Sequence, residues 1–415
     1  MSGDNHLPSV ATAERPVGLL SEIPGPNDSA VALAVRSTGN ASASVAAGPT
    51  TSPTAPPIEI DVGDVVAHLR RVPAPDADEL SDFSVECAVQ ELAPADRHLV
   101  AVDACPVCGT EWARARYGLP GVRFRIVDCT SCGLGRLHPR PTSDVIARFY
   151  PAAYYGVTGA KFVPLIETLV RLVGARHVRA LSRGLKAGAR VLDIGCGRGV
   201  LLSALAERGF EAHGFEISPS AATGVDPRAI MRFGKNLVEA AYPRSYFDQV
   251  IIWHVLEHLP DPRRTLDEIR RVLKPGGRLV VAVPNYSSFQ ARCFGAGWFH
   301  LDPPRHLYHF PVEGLRRLLE STGFQVDCEH HFSLRQNPFG WVQSALNCIP
   351  RLPRNGLYSL LKRRGDGAPV CGRLGRFVLH SAYWLGMPLA CVQSIVDALL
   401  AKGASVCIIA RSRVD

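Results

Sequence analysis

Residues 191–199 read VLDIGCGRG, an apolar run that meets three glycines at alternate positions. The next stretch, RGVLLSALAERG at 198–209, sets Leu201, Leu202 and Leu205 on one side of a helix and ends on Gly209. This is the seam between a buried strand and the helix that follows it. Glycine lets the backbone turn tightly and approach a ligand closely, and the free amides at a helix start attract an anion. Further on, the apolar run EAHGFEI carries Glu216 at its end, where a carboxylate can accept from two ribose hydroxyls. Glycine loop and strand-end carboxylate together point to a cofactor built on a nucleoside.

Outward from this seam, strands and helices alternate. AIMRFG (229–234) reads as a third strand and FDQVIIWHV (247–255) as a fourth. DPRRTLDEIRRVLKPGG (261–277) opens on Asp-Pro, turns Leu266, Ile269 and Leu273 inward, and should stop at Pro275 and Gly276. RLVVAVP is a fifth strand, VEGLRRLLESTGF another helix, QVDCEHHF another strand and SVCIIARS the last. Such alternation predicts an α/β fold, a doubly wound and mostly parallel sheet with helices on both faces.

These segments resemble the class I S-adenosylmethionine-dependent methyltransferases, particularly the branch of ubiquinone-biosynthesis O-methyltransferases and polysaccharide-cluster methyltransferases. The resemblance covers about residues 186–332 and rests on VLDIGCGRG, GFEIS, FDQVIIWHVLEHLPDP, LKPGGRLVVAVPN and LDPPRHLYHF. It implies a seven-stranded Rossmann-like sheet with its last strand antiparallel, and S-adenosyl-L-methionine as cofactor. The loop Gly195, Cys196, Gly197 and Gly199, with Asp193 before it, would cradle the methionine part, and Glu216 would hold the ribose. Asn236 and Leu237 fall where such proteins touch the adenine, and His254 is grouped with this set. An NAD-dependent dehydrogenase would share a glycine turn and an acidic strand end, but its glycines run GxGxxG, not GxGxG after an Asp.

Methyl transfer from a sulfonium is an in-line displacement, and a hydroxyl acceptor profits from a general base. Histidine titrates at about 6.5, which suits that role, and a nearby carboxylate can orient it. His306 is the first candidate base and His258 the second, with Asp302 as the orienting carboxylate. Nucleobase amine methyltransferases place Asp/Asn-Pro-Pro-aromatic after the fourth strand; here the DPP of 302–304 follows the fifth, which disfavours that reaction. In the ubiquinone branch the fourth strand is followed by Glu and then Glu-His as a divalent-metal site. Here His254 replaces the first Glu, though His254, Glu257 and His258 could still share one face. The expected reaction is O-methylation, with C-methylation ranked behind it, of a glycan, sugar nucleotide, or lipid-linked or quinone-type small molecule.

Cys105-Pro-Val-Cys108-Gly and Cys129-Thr-Ser-Cys132-Gly form two CxxC knuckles. Four thiolates make a closed tetrahedral shell, so Cys105, Cys108, Cys129 and Cys132 are expected to hold structural zinc in a ribbon built of two turns flanking a hairpin. Zinc ribbons also precede RNA base methyltransferases. With Arg114, Arg116, Arg123, Arg125, Trp112 and Tyr117 in this segment, RNA is the competing acceptor.

The chain has 415 residues, 47% hydrophobic and 20% charged, the balance of a soluble globular protein. Its 12 cysteines are dispersed and its start lacks a basic segment followed by an apolar one, so a cytoplasmic location is expected. Residues 1–57 contain no Phe, Trp or Tyr and are expected to be a disordered arm; 58–101 should be partly ordered. The ribbon and its connector take 102–156, the catalytic domain 157–333, an insertion 334–403, and the final strand 404–415. Between Leu334 and Arg376 lie eight Arg or Lys against one Asp, a net of +7 in a chain whose total is +8. The apolar stretch 377–400 follows, expected as a helix pair broken near Pro388. Such a cationic and apolar segment can dock on the anionic inner face of a membrane. A subdomain packed on the sheet edge, a dimer interface and a membrane span are its rivals, and the oligomeric state is left open.

Overall fold

Two sheets organise the chain. The computed structural model describes residues 89–120, 122–150, 164–222, 225–362 and 371–413. The expected disordered arm 1–57, and the part of 58–101 before residue 89, lie outside the described residues.

The first sheet contains β1 (Gln90–Glu91), β2 (Leu99–Ala101), β3 (Trp112–Gly118), β4 (Arg125–Cys129) and β5 (Gly135–His138). Along β3 the side chains alternate, with Ala113, Ala115 and Tyr117 buried and Trp112 and Arg114 exposed, as a strand with one covered face requires. The cysteine module is therefore more than a hairpin. β1 and β2 both pair with β3, and a two-residue strand from far along the chain, Tyr308–His309, pairs antiparallel with β5.

After α1 (Ser143–Arg148) and α2 (Pro164–Leu181) comes the second sheet. It is built from β6 (Arg190–Ile194), α3 (Val200–Glu207), β7 (Glu211–Glu216), β8 (Ile230–Phe233), β9 (Phe247–Trp253), α4 (Pro262–Val272) and β10 (Leu273–Pro284). Then come α5 (Phe289–Phe294), β11 (Tyr308–His309), which belongs to the first sheet, α6 (Val312–Ser321) and β12 (Phe324–His330). The cap helices α7 (Asn337–Asn347), α8 (Gly356–Leu361) and α9 (Arg373–Leu399) precede β13 (Ser405–Ser412). The seven strands run β8-β7-β6-β9-β10-β13-β12, all parallel except β13, which is antiparallel to both neighbours. Strand order reverses between β6 and β9, and at such a switch point the carboxyl ends leave a crevice for a ligand.

Val250, Ile251 and Ile252 in β9 are all fully buried, because helices cover both faces of the sheet. One face packs Leu192, Val250 and Val281 against Leu266 and Leu315, in the same core as Tyr117, Phe124 and Ile126 of the first sheet. The other packs Val191, Ile251 and Val280 against Val178, Leu202 and Leu205. The cysteine module thus shares its core with the second sheet. Two polar ties cross the same boundary: Tyr286 donates to Asp128 over 2.9 Å, and Arg263 donates to the Pro106 carbonyl over 3.0 Å.

Two expected boundaries move. α4, capped by Asp261 accepting from the Arg264 amide, ends at Val272, and residues 273–277 already belong to β10, with a register shift between Leu273 and Arg278. The apolar stretch 377–400 is not a broken pair, since α9 runs unbroken through Pro388. Proline removes one amide, and the carbonyl that loses it belongs to Trp384, an exposed residue where water can take the amide's place. The cap has a small core of its own, including Val342, Leu346, Leu357 and Leu379.

Candidate active site

β6 delivers the glycine loop to the crevice. Gly195, Gly197 and Gly199 all adopt positive φ, at 67°, 49° and 70°. A Cβ on Gly195 would lie 2.5 Å from Val255, so that position has neither the conformation nor the room for a side chain. In front of Gly197 the space is open, with nothing within 4 Å of where a Cβ would stand. Cys196 turns its sulfur toward Gly214 on β7.

Glu216, at the end of β7, is buried beside this loop. One carboxylate oxygen accepts the Gly197 amide over 2.9 Å, and the other accepts Ile217 over 2.8 Å and Ser218 over 3.4 Å. Asp193, at the end of β6, is pushed up to about 8 by burial, with Glu216 adding to the shift. Asn236 and Leu237 follow β8. The Asn236 side chain accepts from the Val238 amide and donates to Glu239, while Leu237 is buried. A carboxylate with acceptor capacity beyond these amides and an open glycine face fit the adenosyl and methionine parts of S-adenosyl-L-methionine.

Beyond the end of β9 lies a cavity of about 320 Å³. Its floor comes from the loops after β9 and before β11 through Glu257, His258, His300 and His306, and its roof from the cap through Phe339, Tyr358, Tyr383 and Met387. One ligating atom each from Glu257, His258 and His306 fall within 4.8 Å of one another, although the first two residues and the third come from different loops. The His306 Nδ1 lies 2.8 Å from the His300 carbonyl and the His258 Nδ1 lies 2.9 Å from the Arg305 carbonyl. A carbonyl can only accept, so Nδ1 of each ring carries a proton and Nε2 is the atom turned to the cavity chemistry. Tyr150 also contacts His258 Nδ1, at 2.9 Å. Burial, reinforced by His258, holds His306 well below the usual histidine range, so it stands neutral.

Glu257 is buried and raised to about 7, because burial disfavours its charged form. Its Oε1 meets His254 at 3.3 Å, and its Oε2 has no hydrogen-bond partner among the described residues. A buried carboxyl raised toward its neutral form beside the imidazoles of His306 and His258 can take up and pass on a proton. The same oxygen and nitrogen donors would also suit a divalent cation.

The structure therefore brings His306 and His258 together and gives Asp302 a different partner. Arg305 grips both oxygens of Asp302, with Nε at 2.9 Å, while His306 Nε2 stays 3.9 Å away. Burial alone would raise Asp302, but the Arg305 guanidinium more than offsets it and holds the carboxyl well below its usual range. His306 is oriented by the His300 carbonyl. His254, at a φ of 52°, bridges Glu257 and Ser405, and burial lowers it to about 3. The sequence reading grouped Glu257 with His254 and His258 on one face; in the structure His306, from a separate loop, joins Glu257 and His258 instead. Nothing in the +7 charge of the insertion announced that its aromatic residues roof the same cavity.

The four cysteine sulfurs also converge within 4.8 Å, with Cys105–Cys132 at 3.6 Å and Cys108–Cys129 at 3.5 Å. A tetrahedron of zinc–sulfur bonds at about 2.3 Å would put sulfurs about 3.8 Å apart, so the cluster fits such an ion. The Cys105 thiol is pulled down to about 5, first by its hydrogen bond with Cys132, which supplies a thiolate at neutral pH.

Residues 167–329 match the methyltransferase domain family. The ubiquinone biosynthesis O-methyltransferase of Xanthomonas oryzae pathovar oryzae is 32% identical over 133 residues, covering 30% of this chain and 56% of that protein. The protein of the same name from Xylella fastidiosa is 38% identical over 109 residues, 24% of this chain and 43% of that protein. The chain spans about half the length of the curated relatives it matches. Among solved structures, a SAM-dependent methyltransferase from Archaeoglobus fulgidus is 21% identical, with a TM-score of 0.37, covering 58% of this chain and 94% of that one.

Proposed function

We propose that the class I S-adenosylmethionine-dependent methyltransferase domain of residues 167–329 methylates a hydroxyl on a small acceptor held between that domain and the cap. The observation that carries this reading is the capped cavity with Glu257, His258 and His306 on its floor. At about 320 Å³ it is at the small end for ligand pockets, suited to one ring or to the reactive end of a longer molecule.

When bound, S-adenosyl-L-methionine supplies a methyl carbon whose bond to sulfur breaks as its bond to the acceptor oxygen forms. Gly195 to Gly199 and Glu216 orient the donor at the carboxyl edge of β6 and β7. The cap excludes water. His306 Nε2 takes the proton of the acceptor hydroxyl, and Glu257, beside it, shares the proton and the positive charge that follows. A carbon acceptor would use the same base to lose a C–H proton. The four-cysteine module, with zinc bound, would stiffen the wall behind the site through the shared core and the Tyr308–His309 strand. A glycan end, a sugar nucleotide, a quinone-type ring or a lipid-linked head group would fit the cavity.

RNA is the second reading, and the ribbon supports it less. Tyr117 is buried and Arg116 is engaged with Asp128 at 2.8 Å, which removes two of the groups an RNA surface would use. Incubating the protein with methyl-labelled S-adenosyl-L-methionine and fractionated cell extract tests the choice. Label in lipid, polysaccharide or small metabolites supports the proposal; label confined to RNA overturns it.

A further inference from the structure

Helix α9 has two unlike faces. Inward, Leu379 and Ala390 are buried in the cap core, and Tyr383 and Met387 line the acceptor cavity. Outward, Phe377, Trp384, Leu385, Leu389, Val392 and Ile395 are each at least half exposed; apart from the adjacent pair Trp384–Leu385 they are spaced by seven, four, three and three, which puts them in one broad stripe. Between Arg376 and Leu399 the helix has one charged side chain, Asp397, and it is turned inward, accepting from Trp341 over 2.7 Å and from Gln393 over 2.8 Å. A stripe of this length without charge is not the surface of a helix that faces water on that side.

The charges flanking the stripe say what covers it. Arg373 and Arg376 stand exposed in the first turn of α9, where the helix dipole opposes positive charge and that turn itself holds no acidic residue. Their charge is unfavourable to the helix dipole there and stands open to an external anion. Arg351, also exposed, belongs to the same +7 segment. A second copy of the chain would bring the same positive segment and no exposed carboxylate on its own stripe to pair with it. An anionic bilayer offers both an apolar layer for the stripe and phosphates for the arginines, and Trp384 is the residue type favoured at that boundary.

We propose that α9 lies in the interfacial layer of an anionic membrane, outer face down, and that this seats the protein as a peripheral membrane protein. The cavity is then one helix diameter, about 10 Å, from the lipid. On the hydroxyl-acceptor reading above, this favours an acceptor anchored in that same bilayer; membrane docking itself does not depend on that reading.

The test is co-sedimentation of the full chain with vesicles of phosphatidylcholine alone and of phosphatidylcholine with phosphatidylglycerol, alongside sedimentation velocity without lipid. Uptake should require phosphatidylglycerol and fall at least tenfold at about 0.5 M salt, where charge interactions are screened. The double variant Leu385→Glu, Leu389→Glu, altered only at exposed positions, should lose uptake at least tenfold while its S-adenosyl-L-methionine affinity stays unchanged, which reports intact folding. Arg373→Gln with Arg376→Gln should weaken uptake without abolishing it. Absence of uptake by the unaltered chain overturns the proposal. So does uptake that the double Glu variant retains, or a concentration-dependent dimer that this variant dissolves when vesicles take up nothing.

Discussion

The amide of Gly197 donates to the carboxylate of Glu216 over 2.9 Å, so the loop that leaves β6 is closed by the residue that ends β7. The same carboxylate that would hold a ribose therefore also fixes the loop that would hold the methionine. Replacing it should disturb both halves of the cofactor site. Glu216→Ala is expected to weaken S-adenosyl-L-methionine binding by about 100-fold, the loss of hydrogen bonds to a charged group. Glu216→Gln, which keeps one acceptor for Gly197, should lose less. Isothermal titration of both variants checks this, and an unchanged affinity in the Ala variant would remove Glu216 from the site.

The floor cluster should act on rate and not on donor binding. His306→Asn and Glu257→Gln are each expected to lower kcat by about 100- to 10,000-fold, the usual range for a lost general base, with donor affinity within about twofold. A chelator should leave the unaltered enzyme active if the cluster moves a proton. Loss of activity restored by magnesium or manganese, with the zinc of the cysteine module still in place by metal analysis, would instead make Glu257, His258 and His306 a ligand set.

Asp193 should make the fold less stable as pH rises. Its folded value, about 8, is above the usual carboxylate value, so between about pH 4 and pH 8 the unfolded chain releases a proton that the folded chain keeps. In that window stability falls with pH, by at most about 1.4 kcal/mol per unit, and the change is complete above pH 8. Asp193→Asn removes this dependence. Denaturant unfolding of both proteins should show the variant gaining on the parent from pH 5 to pH 8; parallel curves would contradict the assignment.

The cysteine module should bind about one zinc per chain, since four sulfurs fill one tetrahedral shell. Cys105→Ser with Cys132→Ser should carry less than half as much. Because Tyr117, Phe124 and Ile126 share a core with Leu192 and Val250, removing the ion should lower one unfolding transition for the described body and not release the ribbon separately. Metal analysis with calorimetry reads both, and an early, separate ribbon transition would contradict the shared core.

Local pattern carried the glycine loop, the acidic end of β7, the two CxxC knuckles and the alternation of strands and helices, because each depends on residues near in sequence: positive φ, apolar period, tight turns. Histidine chemistry also ranked His306 first and His258 second as candidate bases, without showing that the two rings meet. Local pattern failed on Asp302, which lies near both His306 and Arg305 in sequence: the spacing allows either partner, and in the fold Arg305 is the nearer charge and takes it.

What the sequence by itself determined is the alternation of an α/β sheet and the chemistry of its glycine loop and thiols, since backbone conformation and hydrophobic period are written residue by residue. What only the tertiary structure decided is the second half of the site: Glu257 meeting His306, Tyr308–His309 completing the ribbon's sheet, and α9 showing one face to a cavity and the other to solvent. These depend on burial, and burial is set by which distant surfaces meet, a property no local window contains.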